Sequence, residues 1–220
     1  MNSTDEQPLF QRIRERLYTP VICDVLDQLG RRHQFLPPEI RPLAPSMMLV
    51  GRAMPVLIDD EFGIPARPFG RLTEALDALE DGEIYVARGG SIPCAAWGEI
   101  LTATAKRRGA VGAVIDGYHR DTHQVMAQNW PVFSRGSYAQ DAGARSSVRD
   151  YRVTVEIGSV LVQPRSLMIG DIDGVAVIPP ELEDEVLERA FLKVSAESTT
   201  RRAIEGGMSS TEAYATFGVL

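Results

Sequence analysis

Apolar positions along this chain follow two rhythms. Recurrence every three or four residues predicts a helix with one buried face, and alternation or a short unbroken run predicts a strand. Leu9, Ile13 and Leu17 set a helix over residues 9–18. Thr19 as N-cap and Pro20 in the first turn open a second helix over residues 21–29, which Gly30 ends. The proline-rich residues 34–45 read as an irregular connector. Residues 49–58 read as a strand, and Pro55 within it, lacking an amide hydrogen, places it near a sheet edge. Leu72, Ala75, Leu76 and Leu79 mark a helix over residues 71–79, and Asp81-Gly82 turns into a short buried strand at residues 83–87.

A glycine-rich loop follows from Gly89. An apolar helix should then begin between Trp97 and Glu99 and close at Gly109, before a strand over residues 111–115. If the two strands of this strand–loop–helix–strand unit share a sheet, they are parallel with a right-handed crossover. The loops that follow them then open on one edge. That edge gathers the helix N-terminus at residues 98–101 and the pair Arg120-Asp121. Free amides at a helix start favour an anion, Arg120 offers a planar fork to a carboxylate, and Asp121 is a hard oxygen ligand for a divalent cation.

Further on, residues 122–128 read as a short helix or turn, 130–134 as a strand and the polar residues 138–150 as a loop. Val153, Val155 and Ile157 place residues 151–157 in a strand. Residues 160–162, 167–169 and 175–178 continue a strand-rich region with Gly170-Asp171 and Asp173-Gly174 as its turns. After Pro179-Pro180, a stripe of Leu182, Val186, Leu187, Ala190, Phe191 and Val194 predicts a long helix over residues 181–205. Gly206-Gly207 stops it, and Ser209 or Ser210 caps a last short helix. The pattern is that of an α/β fold, with residues 1–220 in one domain.

Composition narrows the partners. The chain has 220 residues, 44% of them hydrophobic and 24% charged, enough for a sizeable core. A net charge of −7 argues against non-specific binding of nucleic acid. Only Cys23 and Cys94 are present, no run is long enough to span a membrane, and residues 1–7 are polar and acidic, unlike a signal peptide. A cytoplasmic location is the expectation.

Several other groups read as structural. Asp24 and Asp27 fit a solvated helix face, residues 59–61 a solvated acidic turn, and Asp171 and Asp173 a turn in which Asp side chains bond the backbone. His119 and His123 have the spacing of a helical zinc pair, but they fall in a predicted loop with no third ligand. Cys94 has no histidine placed to activate it and reads as a buried thiol. Gly89-Gly90 is neither a dinucleotide fingerprint nor a phosphate loop. Glu197 stands four residues before Arg201, an ordinary helical ion-pair spacing.

Glu99, twenty intervening residues and Arg120-Asp121 resemble the acid-x20-Arg-Asp pattern of the RraA-like family. The likeness extends to Trp97-Gly98-Glu99-Ile100-Leu101, Pro131-Val132-Phe133, Gly170-Asp171-Ile172-Asp173-Gly174-Val175, Ala213-Tyr214 and Phe217-Gly218-Val219-Leu220. That family includes metal-dependent 4-hydroxy-4-methyl-2-oxoglutarate/4-carboxy-4-hydroxy-2-oxoadipate aldolases and proteins named as regulators of RNase E activity. The resemblance implies an α/β/β swivelling-domain fold and a homotrimer or homohexamer with active sites between subunits. It also implies a lyase that passes through a pyruvate enolate, by aldol cleavage or oxaloacetate decarboxylation. Mg²⁺ or Mn²⁺ would be anchored by Asp121. The amides of Gly98, Glu99, Ile100 and Leu101 would hold the carboxylate of a small 2-oxo acid, with Arg120 stabilising the enolate and Glu99 moving a proton. Glu197 of a neighbouring subunit would approach the metal, and the C-terminal helices, about residues 181–220, suit the interface. Glu99 departs from the Asp usual in the aldolases. The alternative is a non-catalytic regulator that binds an RNA-degrading enzyme.

Overall fold

A computed structural model describes residues 3–63 and 65–219; Met1, Asn2, Ile64 and Leu220, the last closing the family-like tail, lie outside it. Its frame is one eight-stranded sheet. Strands β2 (Leu49–Asp60), β3 (Glu83–Arg88), β5 (Gly112–Asp116) and β7 (Val132–Ser134) run parallel and adjacent. β1 (Arg41–Pro42) closes one end antiparallel to β7. On the other side of β2 lie β11 (Leu167–Asp171) and β12 (Gly174–Ile178), both antiparallel. Arg41 of β1 donates to the carbonyl of Ile172 in the β11–β12 turn at 3.3 Å, so the two ends of the sheet approach each other and it curls toward a barrel.

The alternation of side chains along the strands divides the core. Ile84 and Val86 of β3 and Val114 of β5 point inward, with Leu49, Phe133 and Met168. Tyr85, Ala87, Ala113 and Ile115 point outward under α3 (Leu72–Asp77) and α4 (Glu99–Arg107). A third cluster joins α1 (Ser3–Arg16), α2 (Thr19–Gln28) and the long α6 (Glu183–Glu205) to Val50, Leu167 and Ile169. The buried Arg52 guanidinium ties these layers, donating to Glu6 of α1 at 2.8 Å and to Glu183 of α6. A charge taken out of water needs such partners.

Several expectations change. Pro55 does not mark an edge, since β2 is central. Its missing amide falls where the neighbour of β2 switches from β11, paired through Arg52, to β8 (Ser146–Tyr151), paired from Val56. The only ladder group Pro55 offers, its carbonyl, accepts from Arg152 N–H at 2.8 Å. The last five of the thirteen residues expected as a loop over 138–150 are therefore strand. The strand expected over 151–157 is broken at Arg152, whose φ is 57°, before β9 (Val155–Ile157) pairs with β10 (Val160–Val162). The first helix starts six residues earlier than the apolar spacing implied, at Ser3 rather than residue 9. Asp59 and Asp60, expected in a turn, end β2, and Gly170 and Asp171, likewise expected in a turn, end β11; β1 falls within the expected connector, and Tyr18 rather than Thr19 is the N-cap of α2. The helix stops follow the reading. Gly30 and Gly109 close α2 and α4 at φ 73° and 88°, and the Ser209 hydroxyl caps α7 (Ser210–Phe217) by accepting from Glu212 N–H.

Candidate active site

β3 and β5 are parallel neighbours in register from Ile84–Gly112 to Arg88–Asp116, so the segments leaving them emerge on one edge. Each makes a further short strand there. β4 (Ala95–Trp97) pairs in parallel with β6 (Tyr118–His119), and Arg120 N–H donates to the Trp97 carbonyl at 2.9 Å. This two-stranded clamp, absent from the periodicity, draws Gly98-Glu99 and Arg120-Asp121 together across twenty intervening residues.

The clamp is fixed from below. The Trp97 ring lies fully buried, stacked on Trp130 at 6.0 Å, and its indole N–H donates to Thr102 Oγ1 at 2.9 Å. The Thr102 hydroxyl in turn donates to the Gly98 carbonyl at 2.9 Å. The turn from β4 into α4 is thus bonded at both ends. The first intrahelical bond runs from Thr102 N–H to that same carbonyl, so the amides of Ile100 and Leu101 have no intrahelical acceptor.

Asp121 sits with φ 56°, a left-handed conformation uncommon for a residue with a Cβ and most frequent where function constrains the backbone. Its Oδ2 accepts from Glu99 N–H at 3.3 Å and lies 3.8 Å from Arg120 Nε. A Cβ on Gly98 would stand 2.6 Å from that oxygen, so the close approach requires glycine. Arg120 Nη1 reaches Asp141 Oδ1 at 3.3 Å. The guanidinium therefore lies between two carboxylates, all three groups remaining partly open to solvent.

These groups line a cleft of about 480 Å³ together with the apolar Phe69, Leu72, Leu76, Ile100 and Leu101 and the polar Thr73, Asp77 and Thr104. Of the predicted residues, Gly98, Ile100, Leu101, Arg120 and Asp121 line it. Glu99 does not; its amide serves Asp121, its carbonyl accepts from Gln128 at 3.0 Å, and its side chain is exposed at the rim. Asp141 is the functional candidate the sequence did not reveal. It falls in an aperiodic polar stretch that is carried to the clamp by pairing of Ser137 with His119 and of Asp141 with Ala95.

Glu197 lies elsewhere, on α6, where it accepts from Tyr18 Oη at 2.5 Å and pairs with Lys193 at 3.3 Å. Burial, then the bond to Glu197, pushes the Tyr18 phenol up to about 12. His119 turns into the core, its ring nitrogens bonded to Ser134 Oγ at 2.7 Å and Thr122 Oγ1 at 3.1 Å, which leaves none for zinc. Burial lowers its pKa. Cys94 is buried against Ser146, in keeping with a structural thiol. Gly90 packs its backbone on Asp60, which accepts from the amides of Ser91 and Ile92 at 3.0 Å each, so this loop is tied to β2. Asp171 does close its own turn and also accepts from Thr19 N–H at 2.8 Å, capping α2.

Among the described residues no three His, Cys, Asp or Glu side chains converge. A cation at the clamp would take one protein carboxylate, that of Asp121, with water and ligand oxygens completing its shell. Mg²⁺ accepts that arrangement, and the donor set fits it.

Comparison with known proteins supplies the family. The profile of the RraA-like family (Aldolase/RraA) matches residues 19–177, and the chain belongs to that family. A Halalkalibacterium halodurans protein provisionally named a 4-hydroxy-4-methyl-2-oxoglutarate aldolase is 30% identical over 196 residues, 89% of each chain. An uncharacterized protein from Pseudomonas syringae pv. tomato superposes with a TM-score of 0.85 at 30% identity, over 96% of this chain and 94% of that one. Streptomyces coelicolor RraAS2, described as an unusual member of the RNase ES inhibitor RraA protein family, superposes with a TM-score of 0.79 at 25% identity, over 89% of this chain and 96% of that one. Among the described residues no helix is long and apolar enough to cross a membrane.

Proposed function

We propose that this protein is a divalent-metal-dependent lyase that cleaves 2-oxo acids through a pyruvate enolate. The observation that carries the reading is the convergence of Asp121, Arg120 and the open amides of Ile100 and Leu101 on one cleft. Mg²⁺ or Mn²⁺ held by Asp121, when bound, supplies Lewis-acid polarisation of the 2-oxo carbonyl.

The chain's own groups do the rest. The amides of the α4 start hold the substrate carboxylate, with the helix dipole in support. In a 4-hydroxy-2-oxo acid the C4 hydroxyl loses its proton and the C3–C4 bond breaks. Its electron pair passes to C3 and the 2-oxo oxygen, C4 leaves as a carbonyl, and the enolate takes up a proton to become pyruvate. Oxaloacetate reaches the same enolate by losing CO₂. Arg120 donates to the oxygen on which charge develops, a contribution of about 3–4 kcal/mol for a preorganised donor. Glu99, exposed beside the cleft, acts on the proton through a water rather than by contact. Assembly as a trimer or hexamer through α6 and α7 belongs to the same reading, supported by Leu192, Ile204 and Tyr214, which are exposed on those helices. A neighbouring subunit's Glu197 near the metal is part of that assembly.

The test is pyruvate release from a panel of 4-hydroxy-2-oxo acids and oxaloacetate, with Mg²⁺ or Mn²⁺ and with EDTA. Release that EDTA stops is expected. No pyruvate from any member with either metal would favour the second reading, a regulator that binds an RNA-degrading enzyme, toward which the likeness to RraAS2 points.

A further inference from the structure

His119, buried at 4% exposure, stands immediately before Arg120-Asp121, and Thr122 immediately after. Their side chains meet across the dipeptide, His119 Nε2 and Thr122 Oγ1 lying 3.1 Å apart. The other ring nitrogen is bonded to Ser134 Oγ at 2.7 Å, and that buried hydroxyl also accepts from Gly136 N–H at 3.2 Å. The His119 backbone is held as firmly, donating to the Gly136 carbonyl at 3.0 Å and accepting from Tyr138 N–H at 2.8 Å. Hydroxyls donate or accept, so both ring bonds form in either neutral tautomer. His119 is a fixed post, and Thr122 is tied to it. Every partner in this network belongs to the same chain, so the arrangement does not depend on what a neighbouring subunit adds to the cleft.

Between post and tie, Asp121 occupies the N-cap of α5 (Thr122–Ala127). An aspartate there ordinarily has an extended backbone, and its carboxylate accepts from an amide of the first turn. Here φ and ψ are 56° and 39°, and the carboxylate makes no capping bond. The left-handed turn directs Oδ2 to Glu99 N–H at the clamp instead. Such a backbone persists only where its surroundings hold it. Val125 N–H donates to the Asp121 carbonyl at 2.9 Å, but an ordinary N-cap makes that bond too, so it does not select the left-handed turn. The bond between His119 and Thr122 is the side-chain contact that spans the turn.

We propose that His119 is a positioning residue that, through its bond to Thr122, holds the Arg120-Asp121 turn left-handed and keeps the Asp121 carboxylate aimed at the clamp rather than at α5. The consequence for metal affinity rests on the reading of Asp121 as the metal ligand; the bracket itself does not. With the tie cut, Asp121 relaxes to an ordinary N-cap. Its carboxylate then takes the amide of His123 or Gln124, neither of which has an intrahelical acceptor, and leaves Glu99 N–H without one. Amide side chains separate the two ring bonds. His119→Asn places a nitrogen near the position of Nδ1 and retains Ser134 alone, whereas His119→Gln reaches the position of Nε2 and retains Thr122.

Amide hydrogen exchange on the metal-free full chain reads the turn without any ligand. Thr122→Val keeps the shape and removes the hydroxyl. Exchange should rise about tenfold at Glu99 and slow at His123 or Gln124, an opposite pair of changes that general loosening does not produce. Thr122→Ser should restore the parent pattern. His119→Asn should behave as Thr122→Val does, and His119→Gln as Thr122→Ser. The Thr122 pair, at a partly exposed position, keeps the test independent of how the core accepts changes at His119. Calorimetry with Mg²⁺ should find affinity about tenfold or more weaker in Thr122→Val and recovered in Thr122→Ser. Exchange that is unmoved in Thr122→Val, or that rises at Glu99, His123 and Gln124 together, would overturn the proposal. So would an equal change in Thr122→Ser, or the predicted exchange with Mg²⁺ affinity unchanged. If the unmodified protein binds no Mg²⁺, exchange decides alone: the predicted pattern would uphold the bracket and refute the metal reading, and its absence would refute both.

Discussion

Arg120 Nη1 stands 3.3 Å from Asp141 Oδ1, although the two residues are twenty-one positions apart, because the stretch between them folds back to pair Ser137 with His119 and Asp141 with Ala95. Asp141 is held in turn by Gly143 N–H, which donates to its other oxygen at 3.1 Å. The guanidinium is thereby aimed into the cleft rather than left to swing in solvent.

Asp141→Asn keeps the shape and removes the charge. Both partners are partly exposed, so unfolding stability should change by less than about 1 kcal/mol. Catalytic efficiency should nevertheless fall about tenfold or more, because Arg120 loses its orientation. Equilibrium unfolding and kcat/KM, measured on the same preparation, check this; equal loss in both would make Asp141 merely structural.

Gly98→Ala tests the spacing at the metal end. Gly98 has φ −169°, an extended conformation open to any residue, so backbone strain is not the issue. The new Cβ would stand 2.6 Å from Asp121 Oδ2 and must push that carboxylate aside. Affinity for Mg²⁺ should drop about 10–100-fold, as when a residue that orients a metal ligand is changed. Calorimetric titration with Mg²⁺ measures it, and an unchanged affinity would remove Asp121 from the metal site.

His119 makes stability depend on pH. Burial lowers its folded pKa below the unfolded value of about 6.5. Between those two values the unfolded chain holds the proton and the folded chain does not, so stability is lost as pH falls from about 6.5 through the folded pKa. Urea unfolding at a series of pH values should show this slope, and His119→Asn should flatten it. A slope retained in the variant would assign it to other groups.

What the sequence made legible follows from how each element earns its stability. β3, α4 and β5 bury regular apolar faces, so their order and the edge they share could be read from spacing alone. Glu99, Arg120 and Asp121 were recognisable as a spaced pattern. Asp141 and Phe69 were not, because each is placed by long-range pairing rather than by a local rhythm. β8 shows the same effect. Ser146, Ser147 and Asp150 carry no strand periodicity, yet they pair with β2 because its outer half needs a hydrogen-bonding neighbour beyond the point where β11 ends. Pro55 misled for the converse reason: it sits at that junction, where the lost amide costs the sheet no ladder bond.

The central claim is that Arg120, the α4 amides and a cation on Asp121 form one site for a planar enolate-like dianion. Oxalate binding by calorimetry tests it most directly, since oxalate resembles the pyruvate enolate and should bind more tightly than pyruvate itself. Binding that requires Mg²⁺ or Mn²⁺, disappears with EDTA and weakens about 10–100-fold in Arg120→Ala is the predicted result. Oxalate that fails to bind with either metal, or binds equally well to Asp121→Asn and Arg120→Ala, would contradict it.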